Sequence, residues 1–79
     1  MANFEVLFVS TGYDAISGEE CGGSTEYILE FKTKQAAVKK ALAFSKQKGC
    51  YEAHIRKLVD DDIVDHWIYK NGKYIYGMF

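Results

Sequence analysis

The dipeptide Asn71-Gly72 lies between two short stretches of alternating aromatic and aliphatic residues, and this feature constrains the fold most strongly. Asn and Gly both tolerate the positive φ angles of a type I′ turn, whose twist matches that of the strands it joins. A two-residue turn also fixes the register of the hairpin. The predicted cross-strand pairs are Lys70 with Lys73, Tyr69 with Tyr74, Ile68 with Ile75, and Trp67 with Tyr76.

The segment before residue 33 is predicted to form another hairpin. Residues 3–10 alternate and are rich in Phe and Val, a pattern typical of a strand buried on much of both faces. Residues 25–32 alternate more cleanly, which predicts a strand with one face mostly toward water. Residues 11–24 hold four glycines and scattered acidic residues, so we expect a long, flexible loop between the two strands.

A helix is predicted over residues 34–48. Thr33 can accept a hydrogen bond from the first backbone amides, and the segment is rich in Ala, Lys and Gln, which favour helices. Gly49 supplies a left-handed stop. Small residues recur at three- and four-residue spacing, and the predicted buried stripe is Ala37, Val38, Ala41, Leu42 and Ser45.

These elements predict one α+β domain spanning residues 1–79. Residues 50–59 return to a strand pattern, and the three aspartates at 60–62 predict a polar turn into the next strand. The order is ββαβββ, with one helix across one face of an antiparallel sheet. A chain of 79 residues is enough for one such domain and too short for two.

The composition indicates where the protein acts. Neither a secretory signal nor a membrane span is recognisable, and two cysteines do not make the disulfide framework of a small secreted domain. We therefore expect a cytoplasmic protein, without a membrane partner, in which Cys21 and Cys50 are free thiols.

Charge is strongly segregated along the chain. The first thirty residues hold six acids and no Lys or Arg, whereas residues 31–57 hold eight basic residues and one acid. Lysines that could contact phosphates are Lys39, Lys40, Lys46 and Lys48. The alternative is an ordinary solvated helix face.

The C-terminal hairpin sorts its side chains into two predicted faces. The aliphatic face is Val64, Ile68, Ile75 and Phe79, and the aromatic face is Trp67, Tyr69, Tyr74 and Tyr76 with Met78. If the helix covers the aliphatic face, four rings remain open to stack on bases or anchor a protein partner. If it covers the aromatic face, the rings belong to the core.

No constellation predicts catalysis, a metal or another cofactor. The aspartates at 60–62 and 65 with His66 do not match a calcium loop, and His54 and His66 lie on different strands without a recognised ligand motif. Cys50 follows the helix at the start of a strand, where such residues usually pack as small hydrophobes. We therefore expect a binding protein, not an enzyme.

Residues 25–75 contain an acidic strand, an Ala/Lys helix, the run Cys50-Tyr51 and several later residues in a distinctive order. These later residues are Ile55, Leu58, Trp67 and the pair Tyr69-Lys70. In these features the sequence resembles a small phage-encoded anti-CRISPR family, the ninth of the type I-F inhibitors. The sequence departs from the family in a longer first hairpin loop and a shorter Asn-Gly turn.

The resemblance implies a stoichiometric inhibitor, in the host cytoplasm if phage-encoded. Its partner would be an RNA-guided surveillance complex of protein and guide RNA, whose pairing with target DNA it would block; duplex DNA is a further partner. The residues expected to bind are Lys39, Lys40, Lys46, Trp67, Tyr69, Tyr74 and Tyr76. The alternative is a small nucleic-acid-binding domain that uses the basic helix.

Overall fold

The structure, a computed structural model, describes the backbone of residues 2–78 and the side chains of residues 3–75. The elements are β1 (Ala2–Tyr13), β2 (Glu20–Phe31), α1 (Lys34–Ser45), β3 (Cys50–Val59), β4 (Asp62–Lys70) and β5 (Lys73–Met78). The five strands form one antiparallel sheet in the order β2-β1-β3-β4-β5, and α1 packs on one of its faces. The predicted ββαβββ order and α+β class are confirmed.

The β1–β2 hairpin is longer than predicted, and the prediction of a long loop over residues 11–24 was wrong. Pairing continues through Thr11 with Gly22 and Tyr13 with Glu20, which leaves only a short turn. Asp14 caps this turn, because its carboxylate accepts hydrogen bonds from the backbone amides of Ile16 and Ser17 at 2.7 and 3.0 Å. A β-ladder is held by backbone hydrogen bonds and does not require an apolar side-chain pattern. The two strands therefore continue through the glycine-containing segment.

The core lies between α1 and the covered face of the sheet. Ala37 and Ala41 on the helix are fully buried, so the helix backbone approaches the sheet closely. Ser45 is buried as predicted, and Val38 and Leu42 are partly buried. The prediction missed Phe44, which is 6% exposed and lies edge-to-face on Phe8 with ring centroids 5.3 Å apart.

The helix begins as predicted and ends early. Thr33 Oγ1 accepts a hydrogen bond from the Ala36 amide at 3.3 Å, which confirms the N-cap. The last helical residue is Ser45, not Lys48, because the Asn71-Gly72 turn takes the place of the next helical turn. The Asn71 amide donates to the Ser45 carbonyl at 3.2 Å, and the Gly72 amide donates to Ser45 Oγ at 2.9 Å. Gly49 has a positive φ, as predicted, with a value of 88°, but it lies in the turn into β3 and not directly after the helix.

Both later hairpins have two-residue turns followed by a β-bulge. Asn71 and Gly72 have φ of 54° and 76°, which confirms the predicted turn, and Asp60 and Asp61 have φ of 52° and 69°. The turn predicted over residues 60–62 therefore has only two residues, Asp60 and Asp61, and Asp62 is the first residue of β4. Positive φ at both central positions is the geometry of type I′ turns.

The bulges change the predicted register. Tyr69 pairs with Tyr74 and Lys70 with Lys73, as predicted. Beyond the bulge Ile68 pairs with Tyr76 and Trp67 with Gly77, so the predicted pairs of Ile68 with Ile75 and Trp67 with Tyr76 were wrong. An inserted residue moves each later position of a strand to the other face. The backbone of Tyr76 therefore belongs to the row of Ile68.

Candidate binding surfaces

The first candidate surface is the lysine face, formed by the helix residues Lys39 and Lys40 with Lys46 at the C-cap. Lys39 and Lys46 are exposed and seven residues apart, so they lie on one side of the helix. Among residues 3–75, Arg56 pairs with Glu5, and no carboxylate lies within ion-pair distance of these three lysines. The ammonium groups are available to an anionic ligand.

On each flank of the helix one lysine has its ammonium group over a ring: Lys40, which belongs to the lysine face, and Lys34, which does not. Lys40 Nζ is 4.9 Å from the centroid of Phe44, and Lys34 Nζ is 4.5 Å from the centroid of Trp67. A cation over an aromatic face is held by the ring quadrupole without losing its charge. The positive potential thus extends from the lysine face to both sides of the helix.

The rings of the C-terminal hairpin do not form one open aromatic face. Tyr69 is 8% exposed and belongs to the core, and Trp67 packs against the core from its edge. Tyr74 is 56% exposed and meets Tyr69 edge-to-face at 5.7 Å. The helix therefore covers the aromatic side of β4, while the side chains of Tyr76, Met78 and Phe79 lie outside the described residues.

A chain of hydrogen bonds crosses the sheet face opposite the helix. His54 Nε2 lies 3.1 Å from Glu52 Oε1, and His54 Nδ1 lies 3.0 Å from His66 Nε2. Sequence reasoning missed this contact, since it depends on the bulge beside Val64. Without that extra residue His66 would point to the helix side of β4. Burial and the nearby charges of His54 and Arg56 lower the pKa of His66.

The partners of these two histidines, within the described part of the chain, do not make a metal site. Their side-chain hydrogen bonds there are to each other and to Glu52. No group of three His, Cys, Asp or Glu residues within the described positions is placed to hold a metal. Burial, and secondarily the charge of Glu52, raises the pKa of the Cys50 thiol, which disfavours the reactive thiolate.

The two cysteines are free and partly buried, as expected. Within residues 2–78, the structure contains no helix of the length and apolar character needed to cross a membrane.

Comparisons with protein-family models, curated proteins and solved structures found no match to this chain.

Proposed function

We propose that this protein is a non-enzymatic inhibitor that binds a type I RNA-guided surveillance complex and blocks its recognition of target DNA. The lysine face is the docking surface. The observation that carries the proposal is the absence of any ion pair to these lysines within residues 3–75. It is reinforced by the sequence, which has no acidic residue between Phe31 and Tyr51.

Unpaired lysines on one helix face favour a phosphate-bearing partner. Each phosphate that a lysine neutralises releases condensed counterions, which gives affinity without base-specific contacts. A surveillance complex displays guide RNA together with protein, so it offers phosphates and apolar pockets on one surface. Positive charge on the inhibitor also accelerates its diffusional encounter with such a target.

Aromatic anchors beside the lysine face supply the second part of the proposed contact. Tyr74 is half-exposed at the end of the hairpin whose turn bonds to Ser45. Trp67 is partly buried on the helix flank, with the Lys34 ammonium group over its ring. Partly buried rings can be desolvated completely by a partner and then dominate the dissociation rate. Tyr69 contributes by holding Tyr74 in place.

The inhibitor proposal is tested by mixing the purified protein with a purified type I surveillance complex and separating the mixture by size exclusion. Co-elution at a fixed stoichiometry, with loss of target-DNA binding by the complex, is expected. Elution of the protein at its own volume, with target-DNA binding unchanged, would contradict the proposal.

The alternative function is a small nucleic-acid-binding domain, which the same unpaired lysines favour. It predicts binding to plain duplex DNA with an affinity that falls steeply with salt. For three neutralised phosphates the slope of log K against log salt would be about −3. Binding to duplex DNA without binding to the surveillance complex would establish this alternative.

A further inference from the structure

The two edges of the sheet differ in how they are protected against pairing with another chain. β5 is six residues long, starts at Lys73 and contains a bulge opposite β4. β2 is twelve residues long and carries no Lys before Lys32. Short length, lysine and bulges are the devices by which proteins block edge pairing. The β2 edge is therefore the more open of the two.

A regular stretch of β2 is accessible along its length. Tyr27 through Phe31 pair with Phe8 through Phe4 without interruption, and a bulge at Glu26 ends this run. In the described sheet β2 has β1 as its neighbour on one side and none on the other. All residues from Thr25 to Glu30 are exposed. The outer backbone groups of this stretch form a template for a further strand.

On the helix side this edge is apolar. Tyr27 and Leu29 are 57% and 38% exposed, although both flank buried residues of β1. Next to them lies a depression of about 350 Å³, lined by Phe31, Ala36, Ala43 and the stems of Lys39 and Lys40. An added strand would place every second side chain here. Those side chains would be aliphatic, because the depression is lined mostly by apolar groups.

On the opposite side the edge is acidic. Ile28 is 53% exposed, and Glu30 lies beside Glu5 on β1. Arg56 pairs with Glu5 at 3.1 Å, whereas neither Glu26 nor Glu30 has an ion pair among residues 3–75. The alternate side chains of an added strand would lie along this row. Lys or Arg at those positions would neutralise the two free carboxylates.

We propose that the β2 edge, Tyr27–Phe31, binds an extended segment of a protein partner as a sixth strand. The bound segment alternates aliphatic residues, facing the helix side, with Lys or Arg, facing Glu26 and Glu30. Antiparallel β2–β2 pairing about Ile28 places Glu26 opposite Glu30, so in that register a basic segment of another protein complements this edge better than a second copy does. This binding does not depend on the proposed inhibition, although the depression shares the stems of Lys39 and Lys40 with the lysine face.

The test uses a short synthetic peptide in which lysine and valine alternate, added to the full-length protein. Amide exchange measured by NMR is expected to slow for residues 27–31. The same peptide N-methylated on alternate amides cannot form a ladder and is expected not to bind. Reversal of Glu26 and Glu30 to Lys is expected to weaken binding at least about tenfold. Reversal of Glu19 and Glu20, with the same change in net charge, serves as the matched control.

Four results would overturn the proposal. The N-methylated peptide could bind equally well, which would indicate charge attraction without strand addition. Protection could appear along β5 instead of β2. The free protein could associate with itself through the β2 amides, which would identify a second copy as the occupant. Absence of any peptide binding would also overturn the proposal. A thermal melt of each variant verifies that the exposed substitutions leave the fold intact.

Discussion

His54 Nδ1 lies 3.0 Å from His66 Nε2, on the face of the sheet that the helix leaves open. His54 Nε2 lies 3.1 Å from the Glu52 carboxylate and donates its proton there. In the neutral pair His54 Nδ1 is then the acceptor and His66 Nε2 the donor. The two rings, 5.0 Å apart, can share one added proton, but a second would place two cations together.

This geometry predicts a pH-dependent stability. Burial and the charges of His54 and Arg56 lower the pKa of His66 below its ordinary 6.5, while Asp65 and Glu52 oppose this shift. The unfolded chain therefore binds a proton before the folded one as pH falls. Stability is complete above pH 6.5 and is lost as pH decreases through the lowered folded value.

The measurement is the denaturant midpoint at pH values from about 7 to about 5, where carboxylates still contribute little. The denaturant midpoint of His66→Gln is expected to depend less on pH than that of the wild type. Replacement of Glu19 by Gln, on the exposed turn of the first hairpin, is the control and should leave the profile unchanged. Equal slopes for wild type and His66→Gln would show that His66 does not titrate differently on folding.

Ser45→Ala is expected to destabilise the protein by about 1–3 kcal/mol. Ser45 is 2% exposed, and its Oγ donates to the Leu42 carbonyl at 2.8 Å and accepts from the Gly72 amide at 2.9 Å. Removing the hydroxyl leaves the partly buried Gly72 amide without its acceptor. Chemical denaturation measures the loss. Ser17→Ala, on an exposed turn, is the matched control and should change stability by less than about 0.5 kcal/mol.

Asp61→Gly is expected to stabilise the protein by up to about 1 kcal/mol. Asp61 has a φ of 69°, and Gly adopts this conformation without steric cost. Asp61→Asn removes the same charge and keeps a side chain, so it separates backbone strain from repulsion with Asp60. Asp62→Gly lies in β4 and should instead lower stability by about 0.5–1 kcal/mol. A thermal melt in which Asp61→Gly is no more stable than Asp61→Asn would contradict a strained turn.

Local sequence chemistry predicted the elements of this fold well. Asn71-Gly72 specified its turn and Thr33 its cap, because both act through atoms a few residues away. The alternation of residues 3–10 predicted a strand buried on much of both faces, and Phe4, Val6, Leu7 and Phe8 are buried. These features depend on short-range geometry that the sequence carries directly.

What could not be predicted was set by contacts between distant elements. The bulge beside Val64 brings His66 to the face of His54, and the bulge in β5 separates Tyr76 from Trp67. Alternation of side chains does not reveal an inserted residue, so the pairs predicted beyond the bulge in β5 were wrong. The aromatic side of β4 is covered because small helix residues let Tyr69 reach the core. Thus Lys39 and Lys46 are exposed, whereas Tyr69 belongs to the core, and the binding role of these residues stays a prediction.

The most direct measurement of the central claim is the association rate of the protein with a purified type I surveillance complex at several salt concentrations. Reversing Lys39, Lys40 and Lys46 to Glu should slow association at least about tenfold and reduce the salt slope by about 3. The matched control reverses Lys32, Lys57 and Lys73, which changes net charge equally but leaves the lysine face intact. Slower association for the helix variant than for the control is the predicted result, and equal rates for the two variants and the wild type would contradict it.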